Sequence, residues 1–186
     1  MGEKIDIERF GGFSFLRELY DWTEAAVIAV AVMLLLFTFV FRMVSVQGDS
    51  MLPTLQHENR LICSRLGYEP ELGDIVVITM PTIHNEPVIK RVIAVEGQTV
   101  DIDFEIGIVY IDGAPLNEPY INDFTYRSFD MQFPQKVPSG HVFVLGDNRN
   151  NSWDSRTTDI GMVDKRYILG QTLYRLLPYD EMGVPQ

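Results

Sequence analysis

Cysteine is nearly absent. The chain holds one, Cys63, so no intrachain disulfide can form and no cysteine-built zinc site can be assembled. Cys63 stands in the strand-like run Arg60-Leu-Ile-Cys-Ser, which reads as a small buried hydrophobe rather than a nucleophile. Histidine is scarce too. His57, His84 and His141 are scattered and share no metal-ligand spacing, so no metal and no other cofactor is expected. Positive charge is short: 15 Lys and Arg stand against 26 Asp and Glu, for a formal net charge of -11. Such a chain repels phosphates, which argues against a nucleic-acid partner. It argues equally against broad electrostatic docking on anionic lipid. No internal repeat or low-complexity tract is visible, and helix-period patterning is almost missing after residue 43.

What the chain does have is one long apolar run. Residues 25–41 carry no charge, and Thr38 is their only polar side chain. Spanning a bilayer takes about 17–25 residues, so the run needs Trp22 at one edge and a snorkelling Arg42 at the other. Nothing polar interrupts it to make an amphipathic face, which disfavours a core helix of a soluble protein. No small-x-small pattern follows; the chain continues Arg42-Met-Val-Ser-Val-Gln. The run is therefore read as a retained anchor rather than a cleaved signal. Lys4, Arg9 and Arg17 precede it, and only Arg42 follows before Arg60, although Glu18, Asp21 and Glu24 narrow the margin. Positive-inside counting puts the N-terminus in the cytoplasm and the body on the outer face of the plasma membrane. The expected organisation is an interfacial N-terminal segment at 1–24, an anchor at 25–42 and a body at 43–186.

The body reads as β. Short alternating or β-branched runs occur at 44–47, 61–65, 74–79, 88–95, 99–103, 108–111, 141–145 and 168–177, separated by Gly and Pro punctuation. The expected fold is mainly β, with antiparallel sheets forming a partly open, barrel-like body behind one transmembrane helix. Residues 117–139 are rich in aromatics and proline without a clear period. A small cap at about 101–139 is expected there.

Three segments carry residues capable of chemistry. In Gly48-Asp-Ser-Met-Leu-Pro-Thr, glycine lets the backbone bend sharply before Ser50, exposing its hydroxyl and aiming its N–H at a developing oxyanion. Taken alone, Ser50 reads first as an ordinary turn residue. In Pro87-Val-Ile-Lys-Arg-Val-Ile-Ala-Val, alternation places Lys90 on one face with Val88, Val92 and Ala94, and Arg91 on the other with Ile89, Ile93 and Val95. A lysine buried on that face loses hydration and basicity, and becomes a competent base for a serine. Taken alone, Lys90 reads first as an edge-strand lysine that snorkels to water. In Gly146-Asp-Asn-Arg-Asn-Asn-Ser-Trp-Asp-Ser-Arg, two Asp-x-Arg pairings, 147/149 and 154/156, would lock a polar loop that presents Ser152 to an amine. A Ser/His/Asp triad has less support, because no histidine sits in a comparable setting.

Together these segments resemble the bacterial type I signal peptidases: an anchor, then Ser50-Met-Leu-Pro-Thr, Gly73-Asp-Ile-Val-Val, Lys90-Arg-Val-Ile, and the long 146–156 motif, in that order. The short stretch between Lys90 and Gly146 resembles the compact Gram-positive members. The resemblance implies a serine endopeptidase that removes signal peptides from secretory preproteins at the bilayer, after small residues at −1 and −3. Ser50 would be the nucleophile and Lys90 the general base. Ser152 would orient the amine, while Asp147, Asp154, Arg156 and Arg91 hold the loop and the base strand. Some members carry a serine two residues before the nucleophile to support the oxyanion. Here that residue is Gly48, which leaves the Ser50 backbone N–H and one further donor. The alternatives are a specialised propeptidase of the same family, or a non-catalytic homologue that assembles surface structures; the second would be expected to lack the serine or the lysine.

Overall fold

The computed structural model describes residues 8–80 and 87–185. Lys4 and His84, weighed above, lie outside them. The chain divides into two units, residues 1–40 and 41–186.

The first unit contains one helix, α1, Glu8–Phe39. Its apolar stretch, Phe15–Thr38, is 24 residues long with a mean hydropathy of 1.8, and is long and apolar enough to cross a membrane. The helix begins well before the charge-free run, so the segment ahead of Ala25 continues the same helix. Phe41 and Arg42 belong instead to the first strand of the second unit.

The second unit is built of antiparallel strands: β1 (Phe41–Ser45), β2 (Arg60–Ser64), β3 (Ile75–Ile78), β4 (Val88–Val95), β5 (Thr99–Asp103), β6 (Ile108–Ile111), β7 (Ala114–Pro115), β8 (Gln135–Lys136), β9 (His141–Leu145), β10 (Val163–Asp164) and β11 (Ile168–Leu177). Seven form a sheet in the order β1-β2-β11-β3-β4-β9-β10, and four form a smaller sheet in the order β7-β6-β5-β8. The mainly β reading holds, with the smaller sheet as the cap. Five of the eight expected strands, at 88–95, 99–103, 108–111, 141–145 and 168–177, match to the residue. The two-residue strands β7, β8 and β10 are too short to leave a period in the sequence.

β3 and β4 run through the middle of the large sheet and are buried along almost their whole length, which is why β3 reads as a continuous apolar run and β4 as one broken only by Lys90 and Arg91. Each fully buried valine, such as Val76 and Val92, contributes about 1.5–3 kcal/mol. Lys90 lies directly opposite Val76 in this pairing, and Arg91 opposite Ile75. The simple alternation expected along β4 breaks after Val92, where a bulge shifts the register against β9. Beyond it, Val95 packs with the Val76–Val92 cluster and Ala94 joins Ile93 in the cluster shared with the cap. The bulge adds one residue to β4 and inverts which side chains face which layer. Ala94 therefore does not share the Lys90 face.

Candidate active site

Ser50 sits in the turn that follows β1, between the left-handed Gly48 (φ 77°) and Met51, which is buried in a cluster with Val46 and Leu55. Met51 and Leu55 are thus hydrophobic pegs that fix the turn to the sheet. The Gly48 N–H donates to His57 Nδ1 at 3.1 Å, closing the loop on itself. The Ser50 carbonyl accepts from the Asn148 N–H at 3.0 Å, and the Asn148 side chain donates to the Asp49 carbonyl at 3.0 Å. The 146–156 loop therefore holds the serine turn from behind. Among the described residues the Ser50 N–H donates no hydrogen bond, so it is available to a ligand oxygen.

Lys90 Nζ donates to Ser50 Oγ at 2.8 Å and to the Ile89 carbonyl at 3.0 Å. The lysine is only 4% exposed. Burial brings its pKa down to about 8; Asp154 and Asp147 pull it upward, and Arg156 pushes it down. Once the amine is neutral, the same separation lets the Ser50 hydroxyl donate to nitrogen. That reversal is the first requirement of general-base catalysis.

The buried side chains behind the pair form interlocking ion pairs. Asp147 accepts from Arg91 Nε at 2.8 Å and from Arg91 Nη2 at 2.7 Å, a bidentate grip on the residue after the lysine. Thr54 Oγ1 donates to the same carboxylate at 2.5 Å, tying the serine turn into the pair. Asp154 accepts from Arg156 Nε and Nη2, both at 2.8 Å, and from the Gly146 N–H at 3.1 Å. The 154/156 pairing is as expected, but the 147/149 pairing is not formed. Asp147 turns to β4, while Arg149 donates from Nε to the Gly146 carbonyl and from both Nη atoms to Glu118 in the cap. Arg149 is 1% exposed. A guanidinium so buried needs a carboxylate of its own, and Asp147 is already taken.

Ser152 is 4% exposed, and its hydroxyl has no hydrogen-bond partner. No hydrogen bond joins it to Lys90 among the described residues. It lies against Gly146, where an added Cβ would overlap both Ser152 Oγ and the Ser50 carbonyl. Glycine at 146 is what lets the loop close on the serine turn. Of the histidines, His57 serves Gly48 and His141 Nδ1 lies 2.9 Å from the Ser139 carbonyl; neither bonds Ser50.

A cavity of about 700 Å³ opens onto the pair, lined by Met43–Gln47 on one side and by Pro87–Lys90 on the other, with Ser50 and Met51 at its floor. β1 is an edge strand, paired on one side with β2 alone. The cavity can admit an extended segment of polypeptide. Sequence reasoning named Ser50, Lys90, Arg91, Asp147, Ser152, Asp154 and Arg156; the structure brings the seven into one region, but the Ser152 hydroxyl makes no hydrogen bond to Lys90. It missed Thr54, Glu118, Tyr120 and Asn148. Thr54 and Asn148 stand inside the segments that were singled out; Glu118 and Tyr120 lie in a stretch with no period.

The family model described as "Signal peptidase, peptidase S26" matches residues 19–177. A protein described as "Probable signal peptidase I-1" from Synechocystis sp. is 39% identical over 166 residues, covering 84% of this chain and 81% of its own length. Signal peptidase I S of Bacillus subtilis is 35% identical over 179 residues, covering 89% of this chain and 93% of the relative. A crystal structure of a signal peptidase I from Enterococcus faecalis aligns at 31% identity with a TM-score of 0.45, over 56% of this chain and 97% of that one.

Proposed function

The chain belongs to the signal peptidase family, peptidase S26, whose members are serine proteases that remove signal peptides, and on that footing we propose that Ser50 and Lys90 are its catalytic dyad. The observation that carries this reading is the 2.8 Å separation of Lys90 Nζ from Ser50 Oγ, with the amine out of water.

The reaction is direct acyl transfer. Neutral Lys90 takes the Ser50 proton as the hydroxyl attacks the scissile carbonyl, and the Ser50 N–H faces the oxyanion with one further donor. The resulting ammonium protonates the leaving amine. The base, again neutral, activates the water that hydrolyses the ester. Asp147 and Arg91 hold the base strand, Asp154 and Arg156 hold the loop, and the Ser152 hydroxyl accepts from the lysine to aim it once substrate is bound. The preprotein lies extended in the cavity between β1 and the start of β4, with small residues at −1 and −3 in shallow pockets.

The span at 15–38 anchors the enzyme, with its N-terminus in the cytoplasm and residues 43–186 outside. Tethering protease and preprotein to one bilayer raises their effective concentration. Ser50→Ala and Lys90→Ala should each abolish cleavage of a preprotein in detergent; full activity in either variant refutes the dyad. Protease protection of sealed vesicles tests the orientation, since only an outward body is digested from outside. A panel of preproteins separates a general enzyme from a specialised propeptidase. A non-catalytic role in surface assembly is disfavoured by the presence of both Ser50 and Lys90.

A further inference from the structure

The cap stretch from Glu118 to Met131 has no regular secondary structure, and the chemistry above makes no use of it. Its side chains nonetheless end on the machinery. Glu118 accepts from both Nη atoms of Arg149, one at 2.9 Å and the other in a shorter bond. The Tyr120 ring lies 3.9 Å from the Arg91 guanidinium carbon and 5.9 Å from that of Arg149, so it sits between two cations. Its hydroxyl donates to Glu118 at 3.3 Å. Thr125, fully buried, accepts from Arg149 Nη1 at 3.0 Å.

These contacts bear on two arginines that hold the site together. Arg91 follows the base in sequence and grips Asp147. Arg149 holds the Gly146 carbonyl at 3.1 Å, at the point where the loop meets the serine turn. The π face of Tyr120 attracts both guanidiniums and so offsets their mutual repulsion. We propose that Glu118 and Tyr120 are positioning residues of the protease, holding Arg91 and Arg149 and through them the base strand and the 146–156 loop. The proposal rests on the Ser50/Lys90 reading. It makes the cap part of the active site rather than an appendage to it.

The charged and titratable groups that bear on the argument are few. Lys90 is faced by Asp154, Asp147 and Arg156. Tyr120 is faced by Glu118, Arg149, Arg91 and Asp147, and Arg149 by Glu118, Tyr120 and Asp147. Replacing Glu118 by glutamine keeps an oxygen for hydrogen bonding and leaves the positive charge of Arg149 uncompensated. Arg149 then loses the ion pair that holds its guanidinium beside the Gly146 carbonyl.

The test uses the full chain in detergent micelles and a fluorogenic preprotein peptide. Glu118→Gln should lower kcat with KM nearly unchanged. Tyr120→Leu should lower kcat by about 10- to 100-fold with KM nearly unchanged, the scale of a small misplacement of catalytic groups. Tyr120→Phe, which keeps the ring, should stay close to wild type. Phe104→Leu is the control for cap stability alone: its ring stacks edge-on against Phe133 at 5.9 Å, away from the arginines. It should lower Tm and leave kcat in place. The proposal is overturned if Glu118→Gln and Tyr120→Leu behave like Phe104→Leu. If Tyr120→Leu does not fold, Glu118→Gln decides: an unchanged kcat overturns the idea, and a lowered kcat at nearly unchanged KM supports it. Activity in Lys90→Ala would instead strike the dyad itself, so the two failures are distinguishable.

Discussion

Acidification isolates the base. Lys90 is held at about 8 instead of the ordinary 10.5, and burial is the main cause. The pH dependence of kcat/KM reports the free enzyme, so the rate should climb tenfold per pH unit and level off near pH 8. Between pH 8 and pH 5 it should fall by about a thousandfold. At pH 7.5 about a quarter of the molecules carry a neutral base, against about one in a thousand for an unperturbed lysine. The same burial leaves a mark on stability. Below pH 8 the lysine is charged in both folded and unfolded chains, and the buried charge costs the fold about 3 kcal/mol. From about pH 8 to 10.5 the unfolded chain keeps the proton that the folded chain has lost. The unfolded state then binds more protons, so stability rises with pH across that window. Lys90→Met should therefore gain up to about 3 kcal/mol over wild type at pH 6, measured by urea unfolding, with the gain fading as pH passes through 8 to 10.5. An acid limb above pH 9.5 would refute the reasoning. So would a Lys90→Met variant whose stability difference from wild type ignores pH.

Ser152→Ala separates rate from stability: it removes a buried hydroxyl that has no partner, so the fold should lose nothing or gain up to about 1–3 kcal/mol, while kcat/KM drops if Ser152 aims the amine. Thermal melts beside steady-state kinetics read both. Gly146→Ala places a methyl on the Ser50 carbonyl and on Ser152 Oγ, and should lose most activity along with stability, with a changed amide resonance for Asn148 in NMR spectra as the check. Asp147→Asn leaves Arg91 buried without its counter-ion, at a cost of about 3–5 kcal/mol by urea titration. Because Asp147 pulls the Lys90 pKa upward, the acid limb of this variant should move below its wild-type position.

What the sequence made legible follows from the range of the forces involved. The central strands and the base strand were readable because burial on both faces favours β-branched residues, unbroken at Ile75–Ile78 and interrupted only by Lys90, Arg91 and Ala94 in Val88–Val95. Ser50 and Lys90 were readable only in combination: alone, one is a turn serine and the other a surface lysine, and the order of four motifs behind an apolar run singled them out. Arg149 shows where that stops. Its partner Glu118 is 31 residues away, reached through a cap without period, so local spacing pointed to Asp147 instead. Tyr120 is hidden for the same reason, because an aromatic between prolines looks alike whether it meets solvent or two guanidiniums. The β4 bulge was likewise invisible, since it arises from register against β9 and not from any residue within β4.

A dry lysine constrains the charges around it more than its own burial does. The chain as a whole carries -11, yet the carboxylates gathered behind the base are each matched: Asp147 by Arg91, Asp154 by Arg156 and Glu118 by Arg149. A bare carboxylate about 4 Å from the amine would stabilise the ammonium by about 4 kcal/mol at an effective dielectric near 20. That is at least as large as the net lowering of roughly 3 kcal/mol, so one unmatched acid would return the amine toward its ordinary basicity and remove most of the neutral fraction that the base has at neutral pH. Bidentate arginine, permanently charged and geometrically suited to a carboxylate, is the side chain able to cancel each of them without itself titrating. The density of Asp and Arg in the 146–156 loop is thus a consequence of using lysine as the base, and removing Asp147, Asp154 or Arg156 should register in the pH profile before it registers in substrate affinity.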